Sequence, residues 1–237
     1  MHELFIKEII IDWNKIEYKS YLRKIISLVS LESIKLENNI TLLAGENGSG
    51  KSTLLEAIAI CRGVNPEGGT RNYLFSTYNS HSEFCEAITL SRGCRKEKTG
   101  YFFRAESFYN VATMEERYAD PLHKSKMYHY QSHGESFLSL FQDYLDKDGL
   151  SILDEPEAAL SPQRQLTLLM EICNYARKGA QFIIATHSPI LLGMPDSQIL
   201  LFNDAGIRKC AYEETDSYKI TKMFVNDRER LLDKLLG

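Results

Sequence analysis

Gly45-Glu46-Asn47-Gly48-Ser49-Gly50-Lys51-Ser52 fits the pattern Gly-x-x-x-x-Gly-Lys-[Ser/Thr], and its flanks decide how the chain folds around it. Ile40-Thr41-Leu42-Leu43-Ala44 before it has the length and β-branched content of a buried strand. Thr53-Leu54-Leu55-Glu56-Ala57-Ile58-Ala59-Ile60 after it has the composition of a helix. Strand, loop and helix in that order mark a phosphate-binding loop; a glycine-rich turn that merely caps a helix has no need of Lys51 and Ser52 in these places. The glycines let the backbone turn its N–H groups inward and the helix N-terminus adds partial positive charge, so an anion is held mainly by main-chain dipoles. The candidate phosphate contacts are Asn47, Gly48, Ser49, Gly50, Lys51, Ser52 and Thr53. Lys51 reaches the β- and γ-phosphates and the Ser52 hydroxyl faces Mg²⁺.

Later strand ends carry the polar groups that such a loop needs. Gly149-Leu150-Ser151-Ile152-Leu153-Asp154-Glu155-Pro156 is an apolar strand ending in paired carboxylates. In an open parallel sheet, ligand-facing groups gather beyond the carboxyl ends of the strands, so Asp154 and Glu155 are expected beside the loop. Asp154 is the candidate Mg²⁺ ligand, and Glu155 the candidate group that orients the attacking water or accepts its proton. The plainer alternative is a strand-end pair that caps the following helix. Gln181-Phe182-Ile183-Ile184-Ala185-Thr186 reads as the next buried strand and delivers His187 to the same edge, where it can hydrogen-bond the γ-phosphate or the water. Ser132 and Glu135, in Gln131-Ser132-His133-Gly134-Glu135-Ser136, have capping-box spacing before a run of helical periodicity. That helix start is either a second place to grip phosphate oxygens or only a cap.

Around these motifs, Leu4–Ile11 and the alternating Leu31–Leu36 read as early strands. Trp13, Tyr18 and Tyr21 lie upstream of the loop, where a ring can stack on adenine, although core packing is the commoner use. Ser80–Cys94 reads as a hairpin, Gly100–Glu106 as a core strand, and Asn110–Tyr130 as helical with a break at Pro121. This middle stretch, about 62–135, is read as an inserted lobe within one domain spanning 1–237. Ser161-Pro162 opens a helix over Gln163–Lys178 that ends at Gly179, and Asn203-Asp204-Ala205-Gly206 turns a hairpin. The tail from Asp216 is helical in character and carries no evident chemistry.

In the 237-residue chain, 43% hydrophobic and 25% charged residues are ordinary for a soluble globular protein. A net charge of −4 gives no global drive toward nucleic acid or anionic membrane. The basic run Arg92-Gly93-Cys94-Arg95-Lys96-Glu97-Lys98 reads as a solvated hairpin or loop. Five cysteines without a Cys-x-x-Cys pair argue against a zinc site or a disulfide framework and for a reducing compartment. The N-terminus lacks the order of a signal peptide and no apolar stretch approaches the roughly 20 residues that span a bilayer, so no membrane insertion and a cytoplasmic location are expected.

With the phosphate loop, Asp154-Glu155 and His187 in this order, the sequence resembles the ABC-type ATPases, a superfamily that includes transporter motors and SMC- and RecF-like DNA-maintenance ATPases. It is most similar to compact stand-alone bacterial ATPases of the AAA kind, through Phe103-Arg104-Ala105-Glu106-Ser107-Phe108, Ser132–Ser136 and Asp154–Gln163. The resemblance implies an α/β fold of the P-loop NTPase type: a mixed, mainly parallel central sheet flanked by helices, an antiparallel β portion and an inserted helical lobe. It makes Ser132 and Gly134 the small residues of the signature motif, with Glu135 in place of its usual glutamine. Ala158-Ala159-Leu160-Ser161 matches the loop after the carboxylates, and His187 the switch histidine. The strand entering the lobe normally ends in a glutamine that touches Mg²⁺; here Glu106, or else Arg104, has to stand in. The resemblance further implies ATP and Mg²⁺ bound between two chains packed head to tail, slow hydrolysis by isolated chains, and work on DNA or a protein partner. The motor subunit of a membrane transporter and a nucleotide-switched binding module are the alternatives.

Overall fold

The computed structural model describes residues 3–29, 31–65, 68–70, 83–104 and 133–237. Within them the strands, in chain order, are β1 (Ile6–Ile11), β2 (Ser33–Lys35), β3 (Ile40–Gly45), β4 (Gly69–Thr70), β5 (Ile88–Arg92), β6 (Thr99–Arg104), β7 (Gly149–Asp154), β8 (Gln181–Ala185), β9 (Ser197–Asn203) and β10 (Gly206–Cys210). The helices are α1 (Ile26–Val29), α2 (Lys51–Cys61), α3 (Phe84–Ala87), α4 (His133–Tyr144), α5 (Pro162–Arg177), α6 (Pro189–Leu192), α7 (Asp216–Asn226) and α8 (Arg228–Leu236).

The central sheet has the order β10-β9-β3-β8-β7-β6-β4. β3, β6, β7, β8 and β9 run parallel to their neighbours, and the outer strands β10 and β4 pair antiparallel with β9 and β6. β7 and β8 are buried along their whole length, and β3 up to Gly45, which is why they read as unbroken apolar runs: both faces of a parallel sheet are covered. Successive residues serve opposite cores. Leu43, Ile152 and Ile183 pack with α2, α3 and a second sheet, while Leu42, Leu153 and Ile184 pack with α4, α5 and α6. The second sheet is three-stranded and antiparallel, in the order β2-β1-β5. A side chain of the central sheet stitches the two together: Gln181, fully buried, accepts the N–H groups of Phe5 and Ile6 and donates to Ile6 O. Gln181→Leu strands two buried N–H groups and is expected to cost about 2–4 kcal/mol, read as a lower urea midpoint at unchanged slope.

Ser161 caps α5 by accepting the Arg164 N–H, with Pro162 in the first turn, and β9 and β10 form the expected hairpin. The Ser80–Cys94 hairpin is corrected. Of that stretch, the described residues form α3 and the single strand β5, which pairs with β1 through Ile9↔Leu90 and not with β6. β5 and β6 thus belong to different sheets. Alternation reports that one face is buried but not which edge will be the partner. The helix expected over Asn110–Tyr130 lies outside the described residues.

The basic run after β5 is a junction more than a solvated loop. Arg95 donates to Glu3 O, Gly179 O and the Asp148 carboxylate, and lies over the Phe5 ring. Lys98 also pairs with Asp148, and Glu97 forms a buried ion pair with Arg62. The five cysteines are free, and among the described residues no helix is long and apolar enough to cross a membrane.

Candidate functional site

β3 feeds directly into the phosphate loop, and Gly50 ends it at φ 91, in the left-handed region. A Cβ at Gly50 would lie 2.7 Å from Ile25 Cγ2 and 2.9 Å from Leu28 Cδ1, so only glycine lets the apolar residues around α1 pack beneath the loop. Gly48 (φ 79) faces open space on the other side. α2 then starts at Lys51 with no side chain capping it. The N–H groups of its first turn are left for a ligand, and the dipole favours an anion there. Ser27 Oγ donates to Ser49 O and braces the loop from behind, while Ser49 Oγ is buried with no hydrogen-bond partner among the described residues.

Lys51 is almost wholly buried, and its Nζ donates to Gly45 O and Glu46 O, each at 2.8 Å. Burial lowers its pKa from the usual lysine value, opposed by the charges of Glu155, Asp154 and Glu157. Asn47 and Gly48 are exposed on the loop, and Ser52 and Thr53 are half-buried in the first turn of α2.

β7 carries the carboxylates to this edge. Asp154 Oδ1 accepts from Ser52 Oγ at 3.0 Å, and Asp154 Oδ2 lies 3.7 Å from Nε of Arg104, its register partner on β6. Glu155 adopts a left-handed backbone (φ 49, ψ 52), rare for a residue other than glycine, and its N–H donates to Ala185 O at 2.9 Å. This turns its side chain toward the end of β8, where His187 Nε2 lies 3.5 Å from Glu155 Oε1. His187 Nε2 is buried without a hydrogen-bond partner among the described residues.

Oxygen donors at the Ser52–Asp154 pair suit a hard divalent cation, and Mg²⁺ is commonly held by one or two protein groups plus phosphate oxygens. The residues present therefore fit Mg²⁺ bound together with a nucleotide.

Gly134 and Glu135 lie in the first turn of α4, and Glu135 pairs with Arg164 of α5 at 2.9 Å. Glu135 does not line the broad cavity, of about 920 Å³, that opens beside the phosphate loop. Ser132 and Glu106 lie outside the described residues. Tyr21 does line the cavity and is 56% exposed, contrary to the expectation of core packing. Tyr18 is 90% exposed, again not core, whereas Trp13 is used as the core reading expects, donating to Leu31 O and packing 6.0 Å from the Phe84 ring. The lining also includes residues the sequence reading missed: Asn203 at the end of β9 and Asp216, Ser217 and Ile220 on α7. No local signal marks them, because their place depends on how the tail packs back.

Residues 18–128 match a family model described as "AAA domain", and residues 136–193 match one described as "AAA domain, putative AbiEii toxin, Type IV TA system". The cytochrome c biogenesis ATP-binding export protein CcmA of Rickettsia typhi is 29% identical over 160 residues, 64% of this chain and 80% of that protein. Among solved structures, cbiO1 from Clostridium perfringens, part of the ABC transporter complex cbiONQ, aligns at TM-score 0.55 and 16% identity over 98% of this chain and 100% of its own. The SMC head domain from Thermotoga maritima aligns at TM-score 0.48 and 13% identity, over 87% and 98%. The cbiO1 likeness carries the fold. The phosphate loop falls in the first matched region, and the strand-end carboxylates and His187 fall in the second, so both halves of the site lie in matched sequence. In sequence the chain is thus similar to AAA-domain proteins and to an ATP-binding export protein, and in fold to a component of an ABC transporter complex.

Proposed function

We propose that the chain binds ATP with Mg²⁺ and hydrolyses it between two copies packed head to tail, coupling turnover to work on a macromolecular partner, DNA or protein. The observation that carries this reading is the Ser52 Oγ to Asp154 Oδ1 hydrogen bond at 3.0 Å, beside an uncapped helix start and a Glu155–His187 pair. The main-chain N–H groups of Gly48 to Thr53 and the Lys51 ammonium bind the β- and γ-phosphates. When bound, Mg²⁺ adds positive charge to those phosphate oxygens, held by Ser52 and Asp154. Glu155 accepts the proton of the attacking water, and His187 Nε2 orients that water or hydrogen-bonds the γ-phosphate. Tyr21, alone among the three upstream aromatic residues in lining the cavity, is the side chain for the base to stack on.

The second half of the site is assigned to the other copy's Ser132, Gly134 and Glu135; that Glu135 is not among the residues lining its own chain's cavity supports this. Contacts made only with ATP present make the dimer nucleotide-dependent. Light scattering on the Glu155→Gln protein checks it. Its mass is expected to double with ATP and Mg²⁺ and to return to that of one chain with ADP or after chelation, while Ser132→Arg blocks the doubling. A mass indifferent to ATP overturns the head-to-tail arrangement.

A transporter motor subunit is the second reading, favoured by the CcmA relative and the cbiO1 alignment. Co-purification with a membrane-embedded subunit would decide for it.

A further inference from the structure

We propose that Glu157, one residue beyond Glu155-Pro156, is a positioning residue that holds His187 against Glu155; the proposal rests on the ATPase reading above. The ends of β7 and β8 are tied together in both directions. From β7, the Glu155 N–H donates to Ala185 O at 2.9 Å. From β8, the His187 and Ser188 N–H groups converge on one oxygen, Glu157 Oε1, at 2.5 and 3.1 Å. These ties lie on either side of the 3.5 Å approach of His187 Nε2 to Glu155 Oε1.

Both residues need such support. Glu155 is in a left-handed conformation that persists only where its surroundings over-determine it. The other anchors nearby act elsewhere: Thr186 Oγ1 accepts only the Ser188 N–H, and Ser188 Oγ, bonded to Gln165, caps the first turn of α6. For the His187 N–H, Glu157 is the partner that the structure provides. The other carboxylate oxygen, Glu157 Oε2, is buried without a hydrogen-bond partner among the described residues. Reach and one acceptor oxygen, rather than two oxygens, are thus what this position supplies. A glutamine can supply the same, whereas a leucine cannot, and an aspartate falls one methylene short.

The test compares Glu157→Leu, Glu157→Asp and Glu157→Gln with the wild-type chain, and repeats Glu157→Leu in a His187→Ala background. Glu157→Leu is expected to lower kcat by about 10- to 100-fold, since displacements near 1 Å at a reacting centre cost on that order. ATP affinity should fall by far less than kcat, because the main-chain N–H groups of the phosphate loop stay in place. Amide hydrogen exchange at residues 187–188 should quicken in Glu157→Leu and return toward wild type in Glu157→Gln, along with the rate. Glu157→Asp should lose the same factor as Glu157→Leu, and serves where the leucine variant fails to fold. In the His187→Ala background the leucine substitution should add less than about two-fold, as for residues acting as one unit. A wild-type rate in both Glu157→Leu and Glu157→Asp, an equal loss with and without His187, or a Gln variant as slow as the Leu variant overturns the proposal. Unaltered exchange at 187–188 in Glu157→Leu overturns it whatever Glu155 does, whereas a wild-type rate in Glu155→Gln strikes the assignment of the base alone.

Discussion

Glu155→Gln is expected to lower ATP turnover by about 10²- to 10⁴-fold while leaving ATP binding intact, the range for loss of a general base. The amide keeps the size of the side chain and its capacity to sit in the same backbone well, and loses only the charge that accepts a proton. Its 3.5 Å neighbour, His187, stays in place because the Glu155 N–H to Ala185 O bond and the Glu157 contacts are main-chain anchored. Single-turnover hydrolysis and nucleotide affinity, measured on the same preparation, separate the two effects. A turnover within a few-fold of wild type would mean that water is activated elsewhere, and a parallel loss of affinity would mean that Glu155 serves binding.

Lys51→Met is expected to do the opposite, weakening ATP binding by about 10²- to 10⁴-fold, in proportion to the loss of a buried charge pair worth roughly 3–5 kcal/mol. Lys51 is 4% exposed, so solvent does little to screen it from a bound phosphate. The fold should tolerate the change. Burial already disfavours the charged lysine, and methionine keeps the apolar stem, which offsets the loss of the bonds to Gly45 O and Glu46 O. The variant should melt within about 5 °C of wild type. Equilibrium titration with a fluorescent nucleotide, beside a melting curve, checks both halves; retained affinity would place the phosphates away from this loop.

The two substitutions act on elements that are legible in the sequence itself. β3, β7 and β8 each read as short unbroken apolar runs, since a parallel strand covered on both faces must be apolar throughout, and the groups of interest sit at their ends. The hairpin at Ser80–Cys94 failed for a related reason. β5 needs one apolar face, which the sequence displays, but its partner β1 lies about 80 residues upstream, and nothing in a local pattern names it. Tyr18 and Tyr21 failed as core residues because an aromatic ring is apolar enough for a core and polar enough for a surface.

By itself, then, the sequence determined which residue types stand at which strand ends: a loop of glycines with Lys51 and Ser52, the Asp154-Glu155 pair, and His187. Those follow from periodicity and composition over stretches of ten residues or so, where local sterics and burial govern. Only the tertiary structure decided that Ser52 meets Asp154 across 102 residues, that Glu155 faces His187 from a left-handed turn, and that Glu157 holds the His187 amide. It also brought α7 and Tyr21 to the lining of one cavity. Contacts of that kind are made by the order of strands in the sheet, which is set by the packing of two cores against its faces and leaves no mark on any one segment.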